Sequence, residues 1–155
     1  MRRVAMDRRS VLKVAGAVSA AATALVAMPR LAMAAYSDSA FKAKAAGDAL
    51  SNLYGANATT PSDQVRLKAP DIAENGAVVP VEVETDMDAE SIAILIEKNP
   101  SPLALNADLP AGTQAMVKTR CRMGETTNVT AVVKSGGKLY TATKEVKVTI
   151  GGCGG

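Results

Sequence analysis

The 155-residue sequence contains no histidine and no tryptophan, and Phe41 is its one phenylalanine. Without histidine, a Ser-His-Asp or Cys-His nucleophile system, an ordinary catalytic zinc site and histidine-ligated haem cannot be built from this chain. So few aromatic rings leave little to stack against a nucleotide or a flavin. The two cysteines, Cys121 and Cys153, lie too far apart to resemble a metal cluster. These absences argue against a self-sufficient enzyme and predict a protein with no cofactor and no metal site.

Basic residues outnumber acidic ones, 18 to 15, but the excess is concentrated at one end. Residues 1–34 hold Arg2, Arg3, Arg8, Arg9, Lys13 and Arg30 against Asp7 alone. Within them Asp7-Arg8-Arg9-Ser10-Val11-Leu12-Lys13 has the pattern of a twin-arginine export signal. An alanine-rich apolar run, Val14 to Met28, follows it, and Ala32-Met33-Ala34 offers a cleavage site. The run is shorter and weaker than the ~20 apolar residues of a membrane span, so residues 1–34 are expected to be a cleaved leader directing the folded protein to the periplasm. Residues 35–155 then carry twelve basic and fourteen acidic side chains, a balance that predicts neither a nucleic-acid partner nor membrane attachment.

The remaining chain suffices for one small domain with a single core. Phe41, Ala45, Ala49 and Leu53 recur at helical spacing behind the candidate caps Ser37, Asp38 and Ser39, and Gly55 follows as a stop. Beyond the helix the pattern is strand. Val65 and Leu67 alternate with Arg66 and Lys68, and Val79, Val81 and Val83 alternate with Glu82 and Glu84. Ile92 to Ile96 is apolar on both faces, as a central strand would be, and Asn99-Pro100-Ser101-Pro102 ends it. Leu103 to Leu109, Gln114 to Met123 and Val129 to Val133 supply further strands. Ser135-Gly136-Gly137-Lys138 is a two-glycine hairpin turn, and Tyr140, Ala142, Val146, Val148 and Ile150 share one face of the last strand. About seven strands behind one helix predict an all-β, immunoglobulin-like antiparallel sandwich over residues 35–150, with a small barrel as the alternative.

Gly151-Gly152-Cys153-Gly154-Gly155 completes the sequence. Glycine lacks Cβ, so Gly151, Gly152, Gly154 and Gly155 predict a thin, mobile arm, residues 151–155, around one thiol. At ~3.3–3.6 Å per residue, Cys153 reaches on the order of 10 Å beyond Ile150. An ordinary thiol with pKa ~8.5 is mostly protonated near neutral pH. No Lys or Arg lies closer in sequence than Lys147, and the Gly155 carboxylate disfavours the thiolate. Cys121 alternates with Ala115, Val117, Thr119 and Met123, which favours burial as a small apolar side chain. An interchain disulfide is its rival, and a Cys121–Cys153 bridge, which would tie the arm down, has the least support. The acidic series Glu82, Glu84, Asp86, Asp88 and Glu90 suits a solvated face better than a cation site.

With its leader, the segments Asp71-Ile72-Ala73-Glu74-Asn75-Gly76-Ala77-Val78-Val79-Pro80-Val81, Glu97-Lys98-Asn99-Pro100-Ser101-Pro102 and Gly124-Glu125-Thr126-Thr127, and the ending Lys144 to Gly155, the chain resembles the SoxY family. These are the sulfur-carrier subunits of bacterial thiosulfate oxidation, and the resemblance extends over essentially the whole chain. It implies a substrate carrier, not an enzyme. The thiol matching Cys153 would be joined to thiosulfate by a haem c enzyme, giving a cysteine S-thiosulfonate. A dimanganese thiosulfohydrolase would release sulfate, and a molybdenum and haem sulfane dehydrogenase would oxidise the sulfur left behind. It also implies a heterodimer with a SoxZ subunit, exported folded with this chain. Two other readings of the terminal residues stay open: a ubiquitin-like carrier holding sulfur as a thiocarboxylate on Gly155, and a structural sandwich cross-linked through Cys153.

Overall fold

The computed structural model describes residues 37–149. The chain divides into two units, Met1–Ala34 and Ala35–Gly155, and every described residue falls in the second. The expected leader and the expected arm with Cys153 lie outside the described residues.

The helix comes in two pieces, α1 (Asp38–Lys42) and α2 (Ala46–Tyr54). Ser37 caps α1, its hydroxyl accepting from the Ala40 N–H, and Gly55 closes α2 in the left-handed region at φ 72°. The continuous helix expected from the spacing of Phe41, Ala45, Ala49 and Leu53 is interrupted at Ala43, whose ψ of 147° is extended. Tertiary bonds compete with helical continuation there. The Ser101 hydroxyl donates to the Phe41 carbonyl, and the Lys44 ammonium donates to the Pro100 carbonyl at 3.2 Å. After the break α2 buries Ala49 and Leu50 and leaves Ala45 exposed.

Among the described residues nine strands follow: β1 (Thr59–Pro61), β2 (Val65–Lys68), β3 (Ile72–Ala73), β4 (Val79–Thr85), β5 (Ser91–Ile96), β6 (Leu103–Asp108), β7 (Met116–Cys121), β8 (Thr127–Ser135) and β9 (Lys138–Val148). They form a larger sheet ordered β1-β9-β8-β5-β6, with β3 also paired to β9, and a smaller sheet ordered β2-β4-β7. Seven of the nine correspond to the strands expected from the sequence. The other two, β1 and β3, are short and pair parallel with β9, a departure from the antiparallel plan. Two or three residues carry no readable alternation, so only β9 makes them strands.

One cluster of apolar side chains fills the space between the sheets, and a second lies between the larger sheet and the helices. The sheet of β5 and β8 is therefore buried on both faces. Ile92, Ile94 and Ile96 join the first cluster while Ala93 and Leu95 join the second; Val129, Ala131 and Val133 oppose Val132 in the same way. That arrangement explains why Ile92–Ile96 shows no polar face. Gly136 and Gly137, at φ 56° and 73°, turn β8 into β9 with Ser135 opposite Lys138, as the two-glycine pattern requires.

Ile94 is fully buried at the centre of the first cluster, so Ile94→Ala should cost about 2–5 kcal/mol in urea unfolding. Gly137→Val, forced to the same positive φ, should cost about 1–2 kcal/mol.

Candidate functional site

The strand leading toward Cys153 is held along both edges. On one side β9 makes nine cross-strand pairs with β8; on the other it meets β1 at Leu139–Thr141 and β3 at Lys147–Val148. Its last residues are fixed one by one. The Lys147 N–H donates to the Asp71 carbonyl at 2.9 Å, the Val148 N–H to the Thr126 hydroxyl at 3.0 Å, and the Thr149 N–H to the Ala73 carbonyl at 3.2 Å. Val146 is fully buried beneath them. The Lys144 ammonium bonds to the Ala69 carbonyl at 2.5 Å and the Asp71 carboxylate at 2.9 Å, tying the β2–β3 connection to the same strand. Cys153 lies four residues past Thr149, so its backbone extends at most about 13–14 Å from that anchor.

The segment that makes this clamp is itself tied to the smaller sheet. The Gly76 carbonyl accepts from the Met123 N–H at 2.7 Å, and Asn75 turns the chain by accepting from the Ala77 N–H at 2.9 Å and, through its carbonyl, from the Val78 N–H at 3.3 Å. Residues 71–79 thus bridge the two sheets beside the end of β9. Sequence reasoning placed no function on Asp71, Ala73 or Thr126. The signal that could have found them was the polar turn Glu74-Asn75-Gly76 between two apolar pairs, too short to reveal its strand partner.

Cys121 closes β7 opposite Val79 and is only 7 % exposed, packed with Met123 and Ala115 in the cluster between the sheets. Burial pushes its thiol pKa up, as expected where the thiolate loses hydration. Among the described residues nothing positions a cation or helix terminus to activate it.

Most of the acidic series is paired across strands. Glu82 sits between Lys68 at 2.8 Å and Lys118 at 3.0 Å, its neighbours in register on β2 and β7. Arg66 grips Asp86 with two bonds of 2.6 and 3.0 Å, and Lys134 meets Glu90 at 2.8 Å. The hydrogen bonds from Lys68, Arg66 and Lys134 hold the Glu82, Asp86 and Glu90 carboxyls below the usual carboxylate range. Among the described residues no set of carboxylates and thiols is grouped to hold a metal ion.

Two cavities stand out among the described residues. A groove of about 600 Å³ runs over the outer face of the smaller sheet, with Pro70 and Pro80 among Lys68, Lys118 and Arg120. A polar hollow of about 590 Å³ lies beside α2, where the Tyr54 hydroxyl accepts from Ser91 at 3.0 Å and donates to Asn106 at 3.1 Å. Burial raises the Tyr54 pKa. Neither cavity was foreseen, because each assembles residues from distant strands.

The family model for the sulfur oxidation protein SoxY matches residues 50–153, from within α2 through Cys153. The chain belongs to the SoxY family. The solved structure of the sulfur carrier protein SoxY from Chlorobium limicola f thiosulfatophilum superposes with a TM-score of 0.61 and 43% identity, covering 66% of this chain and 94% of that one. The immunoglobulin-like sandwich expected from the strand pattern is thus the family's fold. Two structures of the superoxide reductase (neelaredoxin) from Ignicoccus hospitalis, each of a point variant, share the fold alone. One has a TM-score of 0.52 at 14% identity, covering 59% of this chain and 94% of its own; the other has 0.50 at 18%, covering 68% and 90%. No curated protein matches the chain.

In the folded protein the Cys121 thiol should resist a small alkylating reagent that labels it at once in denaturant, as read by peptide mass spectrometry. Because its folded pKa is raised, its contribution to stability is intact below the ordinary thiol range and declines as pH rises through and beyond it. Cys121→Ala should flatten that alkaline decline in pH-dependent melting.

Proposed function

We propose that this chain is a covalent carrier of sulfur-oxidation intermediates and that Cys153 is their attachment point. The observation that carries the reading is the family match, which spans residues 50–153 and so includes Cys153. The solved relative at 43% identity is named as a sulfur carrier protein.

In the proposed chemistry the Cys153 thiolate and the outer sulfur of thiosulfate form a sulfur–sulfur bond. The two electrons released pass to a haem c conjugating enzyme, leaving an S-thiosulfonate. Water, directed by a dimanganese thiosulfohydrolase, cleaves the terminal sulfonate as sulfate and leaves a persulfide. A molybdenum and haem sulfane dehydrogenase accepts six electrons as that outer sulfur becomes a new sulfonate with three oxygens taken from water, and a second hydrolysis returns the thiol. No step needs a catalytic group from this chain. Its part is to hold one sulfur atom on a narrow peptide.

The flanking glycines serve the same end. A Cβ at Gly152 or Gly154 would widen the peptide where it enters a partner's channel, and Gly151 and Gly155 add reach and freedom. With no cation nearer in sequence than Lys147, the thiol is expected to be ordinary in the free protein and activated inside partner sites. A SoxZ-type subunit completes the carrier as a heterodimer, and the twin-arginine leader delivers the pair, already folded, to the periplasm. Cys121, packed in the core, would need a local opening of β7 to bond with that subunit.

Intact mass after incubation with thiosulfate and the conjugating enzyme should rise by one thiosulfonate in the wild type and stay unchanged in Cys153→Ser. A modified terminal carboxyl would favour the thiocarboxylate carrier, and a doubled mass the cross-linked dimer. Gly152→Val should slow sulfate release while the melting temperature stays within about a degree, since substitutions outside packed structure are nearly neutral to stability.

A further inference from the structure

The segment that ties the end of β9 contains a chemically reactive pair, Asn75 followed by Gly76. The Asn75 side-chain amide is held in place by the turn. Its Oδ1 accepts from the Ala77 N–H at 2.9 Å, while its main-chain carbonyl accepts from the Val78 N–H at 3.3 Å. A donor on Oδ1 draws electrons from the side-chain carbon and stabilises the charge that an attacking nucleophile places on that oxygen. The nucleophile is the next nitrogen in the chain. The Gly76 N–H has no partner among the described residues, although the Gly76 carbonyl accepts from Met123. Gly76 has no Cβ to crowd the approach, and Asn75 and Ala77 are both exposed to water. Backbone conformation does not account for the glycine, because Gly76 is not held at positive φ as Gly55, Gly112, Gly136 and Gly137 are.

The other five asparagines lack this combination. Asn99 precedes Pro100, which has no N–H to attack with. Asn52 lies within α2 and donates to the Ser39 carbonyl at 3.2 Å, Asn106 in β6 bonds to Tyr54 and Asp108, and Asn128 in β8 donates to Glu97 at 2.9 Å. Asn57 is exposed between α2 and β1, but Ala58 follows it and brings a Cβ.

We infer that Asn75-Gly76 is a site of spontaneous deamidation, and that the isoaspartate it yields loosens the hold on the end of β9. The Gly76 nitrogen bonds to the Asn75 side-chain carbon, and the amide nitrogen leaves as ammonia, taking the proton from the Gly76 N–H. Water then opens the cyclic imide at one of its two carbonyls. Opening at the side-chain carbonyl gives aspartate and the original chain path. Opening at the main-chain carbonyl gives isoaspartate: the chain now runs through the side-chain carbon, one methylene longer, and the carbonyl that accepted from Val78 becomes a free carboxylate. The extra length falls between two fixed points, the Ala73 carbonyl bonded to Thr149 at 3.2 Å and the Gly76 carbonyl bonded to Met123 at 2.7 Å. Both bonds lose their register. Nothing in this chemistry depends on the carrier reading above.

The folded protein is held at neutral and at mildly alkaline pH and sampled by peptide mass spectrometry, with methyl transfer by an isoaspartyl methyltransferase as the probe for isoaspartate. Asn75 should convert first, and faster at the higher pH because the attack needs a deprotonated nitrogen, while Asn57 keeps its amide over the same interval. Asn75→Ser, whose hydroxyl can still accept from the Ala77 N–H, should give no product at this position. Gly76→Ala, whose φ an alanine can adopt, should slow the conversion and serves as a second control. Converted protein, separated by ion exchange through its added carboxylate, should exchange the Met123 and Thr149 amide hydrogens about tenfold faster than fresh protein, with Val133 in the buried part of β8 unchanged. Retention of the Asn75 amide in the folded protein would overturn the site, whatever the unfolded chain does. Conversion of Asn57 at the same rate would overturn it equally. Unchanged exchange at Met123 and Thr149 in isoaspartate-containing protein would overturn the loosening.

Discussion

The parallel pairing of Ile72 and Ala73 with Lys147 and Val148 is the contact on which the end of β9 depends. A terminal strand with one open edge frays, because its last N–H groups exchange freely with water. Here the three successive donors of Lys147, Val148 and Thr149 each have a partner, drawn from two segments: Asp71 and Ala73 in one, Thr126 in the other. These bonds fix the end of β9 four residues before Cys153.

That clamp is affordable because the rest of β9 is already immovable. Nine pairs to β8, Val146 sealed beneath the sheet and Leu139 packed toward the helices anchor the strand on both faces. The helices matter chiefly in this respect. By covering the far side of β5, β8 and β9 they allow the central sheet to be apolar throughout, so that a domain of modest size buries two layers of side chains in place of one. The charged ladders of Arg66, Lys68, Glu82 and Lys118 lie on the opposite, outer surface, where they keep the smaller sheet soluble and contribute little to holding it together.

Much of this could be read in the chain. Period-two alternation gave the strands that border one core, the unbroken run Ile92–Ile96 gave the central strand, and the glycine pair gave the hairpin, because each signal is local and the chemistry of the turn admits few alternatives. The helix break at Ala43 was hidden, since Lys44, Ala45 and Ala46 are good helix formers and the interruption comes from Ser101 and Pro100, some sixty residues away. The strands β1 and β3 were hidden for a related reason: two or three residues have no period, and their partner is known only once β9 is in place. Of the candidate site, Cys121 was located on its face by alternation alone, while Asp71, Ala73 and Thr126, which hold the end of β9, drew no reading because their partner strand lies far away in the chain.

By itself the sequence determined what chemistry this protein can host. The absence of histidine removes histidine-based catalytic and metal-binding options from this chain, and one thiol among four glycines made Cys153 the candidate attachment point. These are properties of residue identity, which no folding alters. The tertiary structure decided how the strand that leads to that thiol is held, because a hydrogen bond from Thr149 to Ala73 or the pairing of Ile72 with Lys147 exists only when segments far apart in the chain are brought to one edge of a sheet. Pairing across such separations depends on the whole core being formed, so it leaves no mark in any short stretch of residues.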